Sequence, residues 1–246
     1  MTSFQVHPSP TLLPLSALPN AKIVQPILAD ENHPGHVRRM PKPFHPYAYV
    51  IRVDAHIVGI EPAVTRTLEL PRDLNFAQLH EVLQAAFGWT DSHLHQFHVG
   101  GLTIGAPEAI EDEVYGPRVF EATEVRLKDL TFPYESDPVL TVTYQYDFGD
   151  NWQHMLVLHR ATIEDGAKYP RCIAGARACP PEDVGGYGGY GDFLEAWLDP
   201  EHEDHQELRR WAGKKFDPGR FDIEATNKAI AKAMRLSRGD YRQRQI

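Results

Sequence analysis

Two runs with a period of two lie almost back to back in the sequence, VLTVTYQYDFG and NWQHMLVLHRATI. In the first, Leu140, Val142, Tyr144, Tyr146 and Phe148 fall on one side, and Thr141, Thr143, Gln145 and Asp147 on the other. Alternation of this kind places one face of a strand in a core. The second run is apolar on both faces after Gln153, the pattern of a central strand. The intervening FGDN is the hairpin connection, with Gly149 free to adopt positive φ. A chain committed to this pair builds an antiparallel sheet around it.

The flanking segments extend the same plan. YAYVIRVDAHIVGI alternates, with Tyr49, Ile51, Val53, Ala55 and Ile57 against Arg52, Asp54 and His56, and IEPAV turns it into a second strand, VTRTLEL. A helix follows, started by Asn75 with Gln78 three residues on as a capping box and Leu74 and Leu79 as the flanking staple. Its apolar stripe is Leu79, Val82, Leu83, Ala86 and Phe87, and Gly88 supplies a left-handed C-cap. DSHLHQFHVGG reads as a further strand, with His93, His95 and Phe97 on one face. The stretch from Leu102 to Asp137 is acidic and turn-rich, with one helical turn at EVRLKDL. YPRCIAGARACPPEDVGGYGGYG reads as a long loop, a feature often functional. Three short helices close the chain near 190–198, 203–212 and 222–235, the last capped by Asp222. Strands first and helices last predict an α+β fold: a twisted antiparallel β-sheet packed against several helices, in a single compact domain with a Pro-rich N-terminal arm. The expected boundaries are 1–46 for the arm, where nine prolines disfavour long helices and central strands, 47–236 for the domain and 237–246 for a basic tail.

Charge narrows the function classes. Residues 47–206 carry 10 Lys/Arg against 27 Asp/Glu, a net −17, whereas residues 207–246 carry +6. An acidic body is a poor match for nucleic acid wrapped on the core, because phosphate neutralisation dominates that affinity. Nucleic acid is left only to the tail, through Arg235, Arg238, Arg242 and Arg244, which as a solvated chain end needs no ligand at all. TLLPLSALP is interrupted by proline and no basic residue precedes it, so it is not read as a signal peptide. No run is apolar enough for a membrane span, and the expected location is cytoplasmic. The two cysteines, Cys172 and Cys179, make no disulfide framework.

LHEVLQAAFGWTDSHLHQF, YQYDFGDNWQHMLVL, YPRCIAGARACPPEDVGGYGGY and FDPGRFDIEATNKAI, in this order, resemble the Ri-plasmid open-reading-frame-three family, the plasmid Orf-three-like proteins. The resemblance covers roughly 47–232. It implies a bacterial protein carried on plasmids or as a transposon-associated passenger of insertion elements, and a compact α+β domain with an antiparallel sheet; it brings no activity with it. Many members carry a third cysteine after PPED, where this chain has Val184, which weakens a three-thiolate metal site.

Four groups of residues carry candidate chemistry. Asp150, Trp152 and His154 alternate onto one face beside Asp147, and His93 and His95 could join them if their strand lies alongside. Carboxylate and imidazole suit divalent metals or acid–base work. The same aspartates are also ordinary turn residues, and Trp152 an ordinary core residue. Cys172, Cys179, Glu182 and Asp183 form a second, nonstandard ligand set, since structural zinc sites space cysteines by two to four. GGYGGYG matches neither a P-loop nor a dinucleotide fingerprint, and no G-x-S-x-G elbow is present. Tyr134, Tyr144, Tyr146, Trp152, Tyr187 and Tyr190 could line a groove, with four of the six expected in the core.

Three functions therefore stand: a non-catalytic binding or accessory protein of mobile DNA with a basic protein or peptide partner and no cofactor; a metal-dependent hydrolase, with phosphodiesters as a candidate substrate, using His93, His95, Asp147, Asp150 and His154; and DNA binding through the C-terminal helix and tail. The absence of a complete catalytic motif favours the first.

Overall fold

A computed structural model describes residues 49–106, 118–130, 139–213 and 216–237. The Pro-rich arm lies outside them, and the described residues all fall within the unit Phe44–Ile246.

One eight-stranded sheet organises the molecule. Its strands are β1 (Val50–Ile57), β2 (Thr65–Pro71), β3 (His95–Val99), β4 (Leu102–Gly105), β5 (Val119–Glu121), β6 (Leu140–Tyr146), β7 (Trp152–Ala161) and β8 (Arg171–Ala176). Their spatial order is β5-β4-β3-β6-β7-β1-β2-β8. Every pairing is antiparallel except β4 with β5, which is parallel. Among the described residues the helices are α1 (Phe76–Phe87), α2 (Gly186–Leu198), α3 (His205–Trp211) and α4 (Ile223–Leu236), with a 3-10 turn at Leu127–Asp129 where EVRLKDL predicts one.

The sheet is two-faced because its strands are. Ile51, Val53, Leu68, Leu70, Phe97, Tyr144, Tyr146, Trp152, Leu156 and Leu158 are all buried on one face. The opposite face carries polar pairs set by register: Arg52 donates to Glu69, and Gln96 donates to Gln145, which faces Gln153. β7 sits centrally, between β6 and β1, but its outward positions Met155, Val157 and His159 are only half-buried. The α1 cap forms as expected: the Asn75 side chain accepts from Gln78 N and the Gln78 side chain from Asn75 N, with Gly88 left-handed at φ 94°. Asp222 caps α4 through Ala225 N.

Two local expectations are corrected. The β6–β7 turn takes its left-handed residues at Asp147 and Asn151, both at φ 56°, and not at Gly149. Asp147 can do so because its own Oδ1 accepts from Gly149 N and Asp150 N, replacing the backbone bonds that the bend gives up. The glycine- and proline-rich stretch is not one long loop. Its first third is β8, an edge strand paired to β2 through a bulge at Thr67/Leu68, and its last glycines begin α2.

Candidate functional site: a polar network and an acid-lined cavity

Three of the segments that carry the family resemblance meet at one end of the sheet. Gly88 turns the chain out of α1 into Trp89–Ser92; Asp91, at φ 56°, bends it towards β3; and β3 pairs with β6, His95 opposite Tyr146. The segment after Cys179 reaches the same place, where Glu182 accepts from Thr90 N at 2.6 Å and from the Tyr146 hydroxyl at 3.1 Å. Burial, with Glu182 beside it, raises Tyr146 well above the usual phenol range, so this hydroxyl stays protonated and donates.

Beneath this lies a closed ring of hydrogen bonds. Gln84 Nε2 donates to the Tyr144 hydroxyl (2.9 Å), which lies 2.9 Å from His80 Nδ1; His80 Nε2 lies 2.7 Å from Asp91 Oδ1; and Asp91 N donates to Gln84 Oε1 (2.8 Å). The tautomer that closes the ring has the proton on Nε2. His95 stacks on His80 with ring centroids 3.5 Å apart and planes within 4°. His80, Asp91 and His95 bring one ligand atom each to within 4.8 Å of the others, a two-imidazole, one-carboxylate set of the kind zinc accepts. In the ring, however, His80 spends both nitrogens on hydrogen bonds, so it has none left for an ion, and the ring serves to lock α1 to β6 and to the segment before β3.

A second set is open to solvent. His93 Nε2 lies 3.0 Å from Asp183 Oδ1 and 3.6 Å from Asp147 Oδ2. The three ligand atoms lie within 4.8 Å of one another. Asp147 commits Oδ1 to its own turn and presents Oδ2 to His93, while Asp183 is exposed.

The expected convergence of His93, His95, Asp150 and His154 does not occur. β3 starts at His95, so His93 lies before the strand and points elsewhere. β6 separates β3 from β7: the rows are His95–Tyr146–Trp152 and Phe97–Tyr144–His154. Two strand spacings, about 10 Å, keep His95 and His154 from sharing an ion. Asp150 sits in the turn, not on the strand, and its Oδ2 accepts from Gly185 N at 3.1 Å, tying the hairpin to the start of α2. Gly186 completes that junction, since a Cβ there would meet Asp150 O at 2.7 Å. Trp152 is buried between Trp89 and Tyr187. His154 is fully buried, with Nδ1 3.3 Å from Tyr144 O and Nε2 3.4 Å from the Trp89 indole nitrogen. Burial pulls its pKa down to about 4, so it is a neutral core residue at neutral pH.

The cysteine set also disperses. Cys172 Sγ donates to Ala174 O, Cys179 is buried, Glu182 faces Thr90 and Tyr146, and Asp183 faces His93. Burial raises both thiols, and among the described residues neither belongs to a three-ligand cluster. Of the tail residues, Arg235 is exposed at the end of α4; Arg238, Arg242 and Arg244 lie outside the described residues. Tyr144, Tyr146, Trp152 and Tyr190 are core, Tyr187 is half-buried, and Tyr134 lies outside the described residues.

Sequence reasoning missed His80 and Asp91, and it missed a cavity of about 680 Å³ beside the surface set. Phe193, Leu208 and Trp211 provide apolar wall, and Asp183, Asp192, Glu195, Glu203, Asp204 and Glu207 bring six carboxylates to it. Among the described residues no lysine or arginine lines it. Trp211 is 49% exposed, a large apolar surface left beside acid. The signal was present in HEDHQELRRW, whose acids recur at helical spacing, but nothing local said that α2 would stand opposite them.

Fold and site together define an α+β protein with one two-faced sheet, a buried polar network closed around His80 and an acidic, aromatic-walled cavity beside it. The chain belongs to the plasmid pRiA4b ORF-3-like protein family, which it matches over residues 48–225. It is 36% identical over 184 residues to the uncharacterized protein y4hQ of Sinorhizobium fredii, covering 74% of this chain and 91% of that one. It is similar to the crystal structure of a protein of unknown function, MM3350, from Methanosarcina mazei Go1, at 34% identity and a TM-score of 0.60, over 72% of this chain and 96% of that one. Among the described residues no helix is long and apolar enough to cross a membrane.

Proposed function

We propose that this chain is a non-catalytic accessory protein of mobile DNA, acting in the cytoplasm by holding a basic segment of a protein partner in the cavity between α2 and α3. The observation that carries this reading is six carboxylates around an aromatic wall with, among the described residues, no lysine or arginine lining it. Exposed carboxylates alone are ordinary solvated surface. The aromatic wall is the difference, because Lys and Arg bury an apolar stem and keep the charge at the rim, and a cation gains further from an indole face. The net −17 of residues 47–206 steers such a partner in. Titrating a Lys/Arg-rich peptide while following tryptophan fluorescence tests it; saturable, salt-sensitive binding supports the reading, and no binding at low salt ends it.

The metal-dependent reading keeps one specific support, the His93–Asp147–Asp183 set at the edge of the same cavity. Two carboxylates and an imidazole suit a hard or borderline divalent ion, which would polarise a phosphodiester oxygen there. Under that reading Mn²⁺ binds with micromolar or better affinity and His93→Ala abolishes the binding. Under the accessory reading, wild type and variant take up equally little.

A further inference from the structure

On the other side of the Pro180–Glu182 segment lies a second cavity, of about 440 Å³, between α1, α4 and the residues after β8. Its walls are mostly apolar and include Phe87, Phe216 and Phe221, with Cys179 and alanines of α4; Arg220 lines it as well. Arg66 also lines it, although it is only 3% exposed. A buried guanidinium is costly unless it is paired. Arg66 Nε donates to Ala86 O (2.6 Å), and Nη1 donates to Thr65 O (2.6 Å) and Ala176 O (3.0 Å). Its cation lies over the Phe221 ring at 4.3 Å and the Phe87 ring at 5.2 Å. Space for Phe221 is provided by Gly175, where a Cβ would meet that ring at 2.6 Å. All of these partners are neutral. Among the described residues no carboxylate pairs with Arg66, and its second amino nitrogen, Nη2, donates to none of them.

The nearby acids do not supply the missing charge. Cys179 and Cys172 are the titratable groups felt by Arg66, and burial holds both thiols protonated at neutral pH. Glu182 is engaged by Thr90 and Tyr146, and Asp222 by Ala225 N and Arg220. We propose that this cavity is a binding site for a small amphiphilic monocarboxylate, whose apolar body lies among Phe87, Phe216 and Phe221 and whose carboxylate accepts from Arg66 Nη2. A guanidinium N–H matches a carboxylate oxygen, and the volume lies in the usual range of small-ligand sites. A monoanion fits better than a phosphate, because the walls are mostly apolar, the second guanidinium that lines the cavity, Arg220, is paired with Asp222, and the Glu182 and Asp222 carboxylates repel a dianion more strongly.

The site is distinct from the acidic cavity, so its test does not depend on the peptide reading. Phenylacetate and its neutral isostere phenylacetamide are titrated into the full chain by calorimetry. Phenylacetate binds one to one, and phenylacetamide binds about tenfold or more weakly, the loss expected for a charge-assisted hydrogen bond. Ala229→Trp, which keeps Arg66 and fills the cavity from α4, abolishes binding without lowering the midpoint of thermal unfolding; Arg66→Lys retains the charge and weakens it. Equal affinity for the acid and the amide, binding of neither at millimolar concentration, undiminished binding in Ala229→Trp, or inorganic phosphate bound in preference to phenylacetate would each overturn the proposal.

Discussion

His154 shows how far a single residue can mislead when read alone. In sequence it follows two aspartates and a tryptophan and looks reactive; in the fold it is fully buried, with its pKa pulled down to about 4 by burial. The unfolded chain takes up this proton near pH 6.5 and the folded chain only near pH 4, so stability is lost as the pH falls between those values. The linkage amounts to about 2 kcal/mol between pH 7 and pH 5. Urea denaturation of His154→Gln should therefore show a smaller drop over that interval than the wild type. His80 is the converse case. It falls within the apolar stripe of α1 beside Leu79, and sequence alone gave no reason to single it out. Its role depends on Tyr144, which lies 64 residues away and closes the ring with Gln84. Tyr144→Phe leaves Gln84 Nε2 and His80 Nδ1 buried without that hydroxyl, and about 1–3 kcal/mol of stability should be lost in denaturant unfolding. Contacts that are local in sequence, such as the Asp147 turn, were legible as turns; contacts made across the sheet were not.

At the scale of elements, what was legible was what is locally determined. α1 carries its own start in Asn75 and Gln78 and its own stop in Gly88, so its limits followed from the sequence. β6 and β7 declared themselves by alternation and a short connection. β8 did not, because RCIAGA is short and small, and its strand character comes from pairing along β2. The parallel β4–β5 pair was hidden for the same reason: direction is a property of the partner and not of the strand. The glycines before α2 carried a signal of another kind. They match no phosphate-binding pattern, and Gly186 is needed because the hairpin backbone approaches it and its own φ is +66°. Gly186→Ala should lower the midpoint of thermal unfolding by several degrees, equivalent to about 1–3 kcal/mol, whereas Gly188→Ala, whose Cβ meets nothing within 4 Å, should raise it slightly, by up to about 1 kcal/mol of helix propensity.

For the whole molecule, the sign of the charge was legible and its focus was not. Composition places −17 on residues 47–206, but only the fold gathers Asp192 and Glu195 of α2 opposite Asp204 and Glu207 beside an aromatic wall. On the proposed reading, that gathering is what would separate a recognition cavity from a merely acidic surface. A patch of diffuse charge would bind a basic peptide weakly, and no single position would matter. A cavity concentrates the effect, so neutralising two facing carboxylates without changing their shape should remove most of the affinity. The decisive measurement is calorimetric titration of one Lys/Arg-rich peptide, at fixed ionic strength, into the wild type and into the double variant Asp192→Asn/Glu207→Gln. The account predicts a one-to-one complex in the wild type, weakened about tenfold or more in the variant, with an unchanged unfolding midpoint. Equal affinity in the two proteins would contradict it.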